Sequence, residues 1–198
     1  LNLNHFMGED FGRTGDLTVL TPITEGVNLK YSVPFLIELR NVPFDQQRQL
    51  VFWLLDHLPN FRHAAMDAGG NGSYLAEVAS QRYPGRISAV KFSQTWYIEN
   101  MPKFRSALED GELDIPQHAD VLADLRAIEL VNGVPMIPRD RHNRGSDGKP
   151  RHGDSAIALA LGWYACHVSG APAAGQIQTQ LSPHHQSLHG RRFGRLLS

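Results

Sequence analysis

A single cysteine, Cys166, stands in a chain of 198 residues. One thiol excludes an internal disulfide framework and any cysteine-rich zinc site. Set in an apolar stretch, it reads as core filler rather than a nucleophile. Long apolar runs are missing too, and nothing approaches the roughly 20 residues that cross a bilayer as a helix. The start, LNLNHFMGED, has no basic segment followed by an apolar one, so it does not read as a signal peptide. These absences point to a reducing, cytoplasmic setting with no membrane partner. The chain opens on Leu1 rather than Met, the expected mark of an excised piece or a processed product. Charge of one sign is not in excess either: the formal net charge is -1, so global charge identifies no partner. No internal repeat or low-complexity block interrupts residues 1–168. No G-x-x-x-x-G-K-[ST] phosphate loop occurs, and GGNG at Gly69–Gly72 lacks the lysine and reads as a turn.

The hydrophobic share of 41% over this length suits one well-buried domain, and two would be cramped. HFMGEDFG reads as a strand ending in a turn, and DLTVLTPITEG as a second, β-branched strand. NLKYSVPFLIELRNV reads as a third, with Pro34 marking a bend or an edge. Short turns between them predict an antiparallel meander. PFDQQRQLVFWLLDHL has helical spacing that places Leu50, Trp53, Leu54 and His57 or Leu58 on one face, and Pro43 with Asp45 marks its start. FRHAAMDAGG reads as a short strand stopped by glycines, GSYLAEVASQRY as a helix and RISAVKF as a strand. Gln94 to Ile128 is mostly helical, with breaks expected at Met101–Pro102 and at DGELDIP. AIELVNGVPMIPR predicts a hairpin around Asn132–Gly133. A polar loop, DRHNRGSDGKPRHG, precedes a last apolar helix, DSAIALALGWYACHV. Residues 171–198 have no acidic residue and few large apolar ones, and are expected to form a flexible basic tail. The order β-β-β-α-β-α-β-α is an α/β fold with a mixed sheet covered by helices, and the opening meander excludes an all-parallel sheet.

Three acids sit where elements end. Asp10 closes the first strand, Asp67 follows Ala64, Ala65 and Met66 at the end of another, and Asp154 opens the last helix. Sheet rims of this kind are where α/β folds place their sites. A carboxylate behind an apolar run needs a partner or a metal. Three converging carboxylates repel unless a divalent cation relieves them, and hard oxygen ligands suit Mg²⁺ or Mn²⁺. Each acid alone also fits a plainer role: Asp154 as a helix-start acid, Asp67 as a turn residue, Asp10 as a partner of Arg13, and Asp16 as an exposed hairpin acid.

GEDFGRTGDLTVL, AAMDAGG and HGDSAIALALGW, in that order, resemble the nuclease domain of phage large terminase subunits, most nearly the Mu-like branch. The resemblance covers about residues 5–168. It implies a ribonuclease H-like fold for residues 1–170, with two divalent ions, Mg²⁺ or Mn²⁺, held by acids. It carries Asp10, Asp67 and Asp154 over as catalytic metal ligands and Asp16 as an auxiliary ligand or nearby acid. The reaction implied is endonucleolytic cutting of double-stranded DNA during genome packaging, in the cytoplasm of a bacterial host. The partners implied are an N-terminal ATPase domain, a small terminase subunit and a portal. Without a phosphate loop, the chain corresponds to the nuclease part alone.

Basic charge is concentrated beside Asp154. Arg139, Arg141, Arg144, Lys149 and Arg151 outnumber Asp140 and Asp147 there, and Arg191, Arg192 and Arg195 stand in the tail. Such segments neutralise phosphates without reading sequence. With Arg13 and His152 they form the expected DNA contacts, while Arg13 fits an ion pair with Asp10 equally well. His184, His185 and His189 are not read as a zinc site, lacking cysteine partners and a rigid setting. Two other readings stand beside the packaging nuclease: another ribonuclease H-like nuclease such as a junction resolvase, and a non-catalytic module docking DNA or portal.

Overall fold

Strand β1, His5–Asp10, sets the plan of the molecule because its two faces enter different cores. Met7 packs with Leu20, Ala64 and Met66 on one side, and Phe6 with Ile23 and Ala65 on the other. This is the period of two expected of a strand buried on both faces. The computed structural model describes residues 3–12, 16–138 and 143–168. The expected flexible tail, 171–198, lies outside the described residues.

After β1 come β2 (Leu17–Glu25), a 3-10 turn (Val27–Leu29), β3 (Tyr31–Ser32) and β4 (Ile37–Arg40). Helix α1 (Phe44–His57) leads to β5 (Phe61–Asp67), α2 (Gly72–Arg82), β6 (Ile87–Val90) and α3 (Gln94–Glu109). Then follow β7 (Leu113–Asp114), α4 (Ala119–Arg126), the hairpin β8 (Glu129–Val131) and β9 (Val134–Met136), the hairpin β10 (Asn143–Arg144) and β11 (Pro150–Arg151), and α5 (Asp154–Val168). The main sheet runs β6-β5-β1-β2-β3-β7, with β4 also pairing β2. Strands β2, β3 and β4 form the antiparallel part, and β5 and β6 run parallel to β1. The mixed sheet and its opening meander match the sequence reading.

Five details differ from it. The third strand is two, because Pro34 lies between β3 and β4 and has no N–H for a ladder; the two pieces pair with opposite ends of β2. Helix α1 is turned by about one residue, roughly 100°. It buries Gln47, Val51, Leu54 and Leu55 and leaves Trp53 55% exposed, stacked on His57. Gln47 faces inward because it accepts from Thr18 Oγ1 at 2.7 Å and donates to the Val42 carbonyl at 2.8 Å. Helix α3 runs through Pro102 without a break. The polar loop before α5 contains a hairpin, and β7 forms a parallel pair with β3 that no local pattern announced. At the Asn132–Gly133 turn both residues have positive φ, as a tight hairpin requires.

Helix α5 lies directly on the sheet, with most of its residues buried, Ala156 to Leu161 among them. The approach depends on Gly8: a Cβ there would stand 2.0 Å from the Ala158 carbonyl and 2.3 Å from the Gly162 nitrogen. Thr21 secures the contact by donating to the Ala158 carbonyl at 2.9 Å. This packing brings the start of α5 to the rim where β1 and β5 end.

Candidate metal centre

Alternation along β1 puts Asp10 on the face of Phe6 and Gly8, toward α5. On β5, Asp67 follows Ala65 by two and shares that face. Asp154, 6% exposed, opens α5 above them. Asp10 interacts with both: burial first, then the charges of Asp154 and Asp67, and behind them Glu9 and Asp124, push it well above the usual carboxylate range. Burial and then the Asp124 charge raise Asp154, while the His152 backbone N–H opposes the shift, donating to Asp154 Oδ2 at 3.1 Å. Gly153 shapes this entry with φ 80°, and a Cβ there would meet Ile137 at 2.2 Å. Asp67 also serves as the turn residue it resembles, its Oδ1 accepting the Gly69 N–H at 2.8 Å.

Among the described residues no lysine or arginine pairs with Asp10 or Asp154. Nor, among them, do three His, Cys, Asp or Glu side chains already stand in an arrangement that could hold a metal ion. The rim therefore carries converging acids without a closed ligand set. Its donor chemistry is hard carboxylate oxygen, which fits Mg²⁺ or Mn²⁺ better than softer ions.

The other expected site residues fall in different places. Asp16 lies at the outer edge, 3.3 Å from His152 Nε2, so these two face each other between the β1–β2 connection and the entry to α5. Arg144 and Lys149 are exposed on the β10–β11 hairpin, where Arg144 Nη1 donates to the Gly148 carbonyl. Arg13, Arg139 and Arg141 lie outside the described residues. Arg151 corrects the expectation of a DNA contact: it is 3% exposed, and its guanidinium is bound to Glu38 and Asp124 at 2.6 and 2.8 Å. Held by two carboxylates inside the fold, it has no face left for a phosphate.

Two groups escaped the sequence reading. Glu9 is fully buried on the face opposite Asp10, and neither carboxyl oxygen has a hydrogen bond among the described residues. Burial and then the Asp67 charge push it well above the usual range. Strand alternation was the signal available, since two adjacent acids in a buried strand must face opposite ways. Tyr97, on α3, stacks on Phe92 and has its hydroxyl raised to about 12 by burial and by the charges of Asp10 and Asp67, which places it beside the acids. Beyond Asp67 an open cleft of about 620 Å³ is lined by Phe11, Asn71, Lys91 and Phe92.

No protein-family model matches the chain. It is 40% identical over 184 residues to the probable large terminase subunit gp28 of Escherichia phage Mu, which covers 92% of this chain and 33% of that protein. It is 37% identical over 167 residues to the Mu-like prophage FluMu protein gp28 of Haemophilus influenzae, covering 84% and 32%. The chain thus spans about a third of the length of these curated relatives. Its fold is similar to the large terminase nuclease of thermophilic phage G20c crystallised with bound magnesium, with a TM-score of 0.59 at 18% identity over 82% of each chain. It is similar also to a Thermus phage large terminase nuclease domain, with a TM-score of 0.56 at 16% identity over 81% and 78%. Along nine-tenths of its sequence the chain is homologous to about a third of a Mu-like large terminase subunit, and it shares the mixed-sheet fold of the large terminase nucleases.

Proposed function

We propose that this chain is a metal-dependent endonuclease that hydrolyses phosphodiester bonds of double-stranded DNA during phage genome packaging. Asp10, Asp67 and Asp154 are its catalytic metal ligands, and Asp16 is an auxiliary acid. The observation that carries the reading is Asp10: an inward-facing carboxylate beside two further acids, with no basic partner among the described residues. Two ions, Mg²⁺ or Mn²⁺, would supply an activated water on one side of the phosphate and charge stabilisation for the leaving 3′-oxygen on the other. Asp10, on the central strand, would hold the ions together with Asp67 and Asp154. Gly69 and His152, through their backbone N–H groups, hold the Asp67 and Asp154 carboxyls in orientation. Tyr97 stands beside Asp10 and Asp67. Arg144 and Lys149 reach the DNA backbone from the hairpin and His152 from beside Asp16; Arg13, Arg139 and Arg141 are further proposed DNA contacts.

In this reading residues 1–170 are the nuclease domain, and the rest of a longer large subunit supplies the ATPase. Small terminase subunit and portal are its partners, and it works in the cytoplasm of the bacterial host. No described helix is long and apolar enough to cross a membrane. A non-catalytic docking module is the second reading, favoured by the open ligand set. Plasmid nicking in Mn²⁺ separates the two. Cutting that stops with chelator and in Asp10→Asn, Asp67→Asn and Asp154→Asn supports the nuclease; DNA binding without any cutting supports the module.

A further inference from the structure

Arg151 and Asp124 take no part in the chemistry above, yet they are among the most deeply buried charges of the molecule, 3% and 0% exposed. Arg151 forks twice. Nη1 and Nη2 donate to Glu38 Oε2 and Oε1 at 2.8 and 2.6 Å, and Nε and Nη2 donate to Asp124 Oδ1 and Oδ2 at 3.2 and 2.8 Å. Nη2 also donates to Ser155 Oγ at 2.8 Å. Ser155 completes the ring: its hydroxyl donates to Glu38 Oε1 at 3.1 Å and its backbone N–H to Asp124 Oδ2 at 3.2 Å. Strand β4, helix α4, strand β11 and the first turn of α5 are thereby tied at one point.

Two features make this more than a stability device. First, buried ion networks are often matched or exceeded in stability by apolar packing, so burial of Arg151 with Asp124 is weak evidence of stabilisation. Second, the network grips Ser155, the neighbour of Asp154, and Asp124 accepts an N–H of the α5 first turn as a cap supplied from another helix. Two carboxylates on one guanidinium also leave one negative charge in excess beside the rim acids. Asp124 is the group whose charge acts on both Asp10 and Asp154. We propose that Asp124 and Arg151 are positioning residues of the metal centre: they fix the first turn of α5 so that Asp154 faces Asp10, and the excess charge of their cluster with Glu38 strengthens the hold on a divalent cation. The inference rests on the metal-centre reading above.

The probe is Mn²⁺ alone, titrated calorimetrically into the full chain well below its melting temperature. Asp124→Asn keeps the shape and an oxygen for the Ser155 N–H but loses the charge. Its Mn²⁺ affinity should fall on the order of tenfold, the scale for partners that orient metal ligands, and saturating Mn²⁺ should recover most of the cutting. Arg151→Lys keeps the charge but cannot fork between two carboxylates, so it should weaken Mn²⁺ in the same direction. If Asp124→Asn does not fold, Glu38→Gln, at a side chain 32% exposed and leaving the Arg151–Asp124 pair intact, should show a several-fold loss. Wild-type Mn²⁺ affinity in the folded variants, with only a lowered melting temperature, overturns the inference. Asp10→Asn distinguishes the two levels. If it loses Mn²⁺ while Asp124→Asn keeps it, the positioning role alone fails; if Asp10→Asn binds Mn²⁺ normally, the metal reading fails and takes this inference with it.

Discussion

Two groups of acids meet at the start of α5 and are satisfied in opposite ways. Glu38 and Asp124 close on the Arg151 guanidinium through several hydrogen bonds, with Glu38 held below its usual range by Arg151. Asp10 and Asp154, beside that cluster, have no arginine or lysine among the described residues and are pushed upward. The same residue type in the same region is thus a structural tie in one case and a stored demand for positive charge in the other. Burial alone does not separate them; the presence or absence of an internal cation does.

The contrast breaks most visibly under substitution of the rim acids. Asp10→Asn, Asp67→Asn and Asp154→Asn should each lower plasmid cutting by at least about a hundredfold, more than loss of an outer partner, with circular dichroism unchanged. Robust cutting by any one of them removes that residue from the set. Next in size is stability. Arg151→Met leaves Asp124 buried without its cation and should cost about 3–5 kcal/mol in urea melts. In the metal-free protein Asp10→Asn should instead leave stability unchanged or raise it, because it removes repulsion. Equal destabilisation by both would erase the distinction between the two sets.

A smaller effect follows from pH. In the folded, metal-free chain Glu9 keeps its proton to higher pH than in the unfolded chain. Between the ordinary carboxylate pKa of about 4 and its raised folded value, the native state binds more protons than the unfolded state, so stability falls as pH rises. Glu9→Gln is neutral throughout and lacks that loss. Urea melts in EDTA from about pH 4 to 8, the window in which a raised carboxyl titrates, should show the variant gaining on wild type as pH rises; parallel curves would show that Glu9 titrates normally. Smallest is the hairpin. Replacing Arg144 and Lys149 together should make the slope of log affinity against log salt shallower by up to roughly 0.9 for each phosphate no longer neutralised, with Mn²⁺ affinity unchanged. An unaltered slope would put the DNA path elsewhere.

Much of this was legible in the chain because it is local. β-branched residues announced β2, the turns that follow marked the ends of β1 and β5, and strand-end acids marked Asp10 and Asp67. Arg151 was not legible. Its partners Asp124 and Glu38 stand 27 and 113 residues away, so a count of basic residues placed it on the surface with Arg144 and Lys149. Trp53 misled for a related reason: a polar Gln47 on the buried face disguised the true stripe of α1, and its bonds to Thr18 and Val42 explain it. Pro102 did not break α3, where packing of Met101 and Phe104 outweighed one missing donor. Strand β7, two residues long, exists only because β3 presents an edge to it.

On the proposed function, Asp10 and the acids beside it await a divalent cation. The most direct test is thermal unfolding of wild type and Asp10→Asn across a Mn²⁺ titration. A ligand that binds only the folded state raises stability by about 2.7 kcal/mol at roughly a hundred times its dissociation constant. Wild type should therefore melt progressively higher as Mn²⁺ is added, while Asp10→Asn, whatever its metal-free melting point, should respond little. An equal upward shift in both proteins would contradict the account.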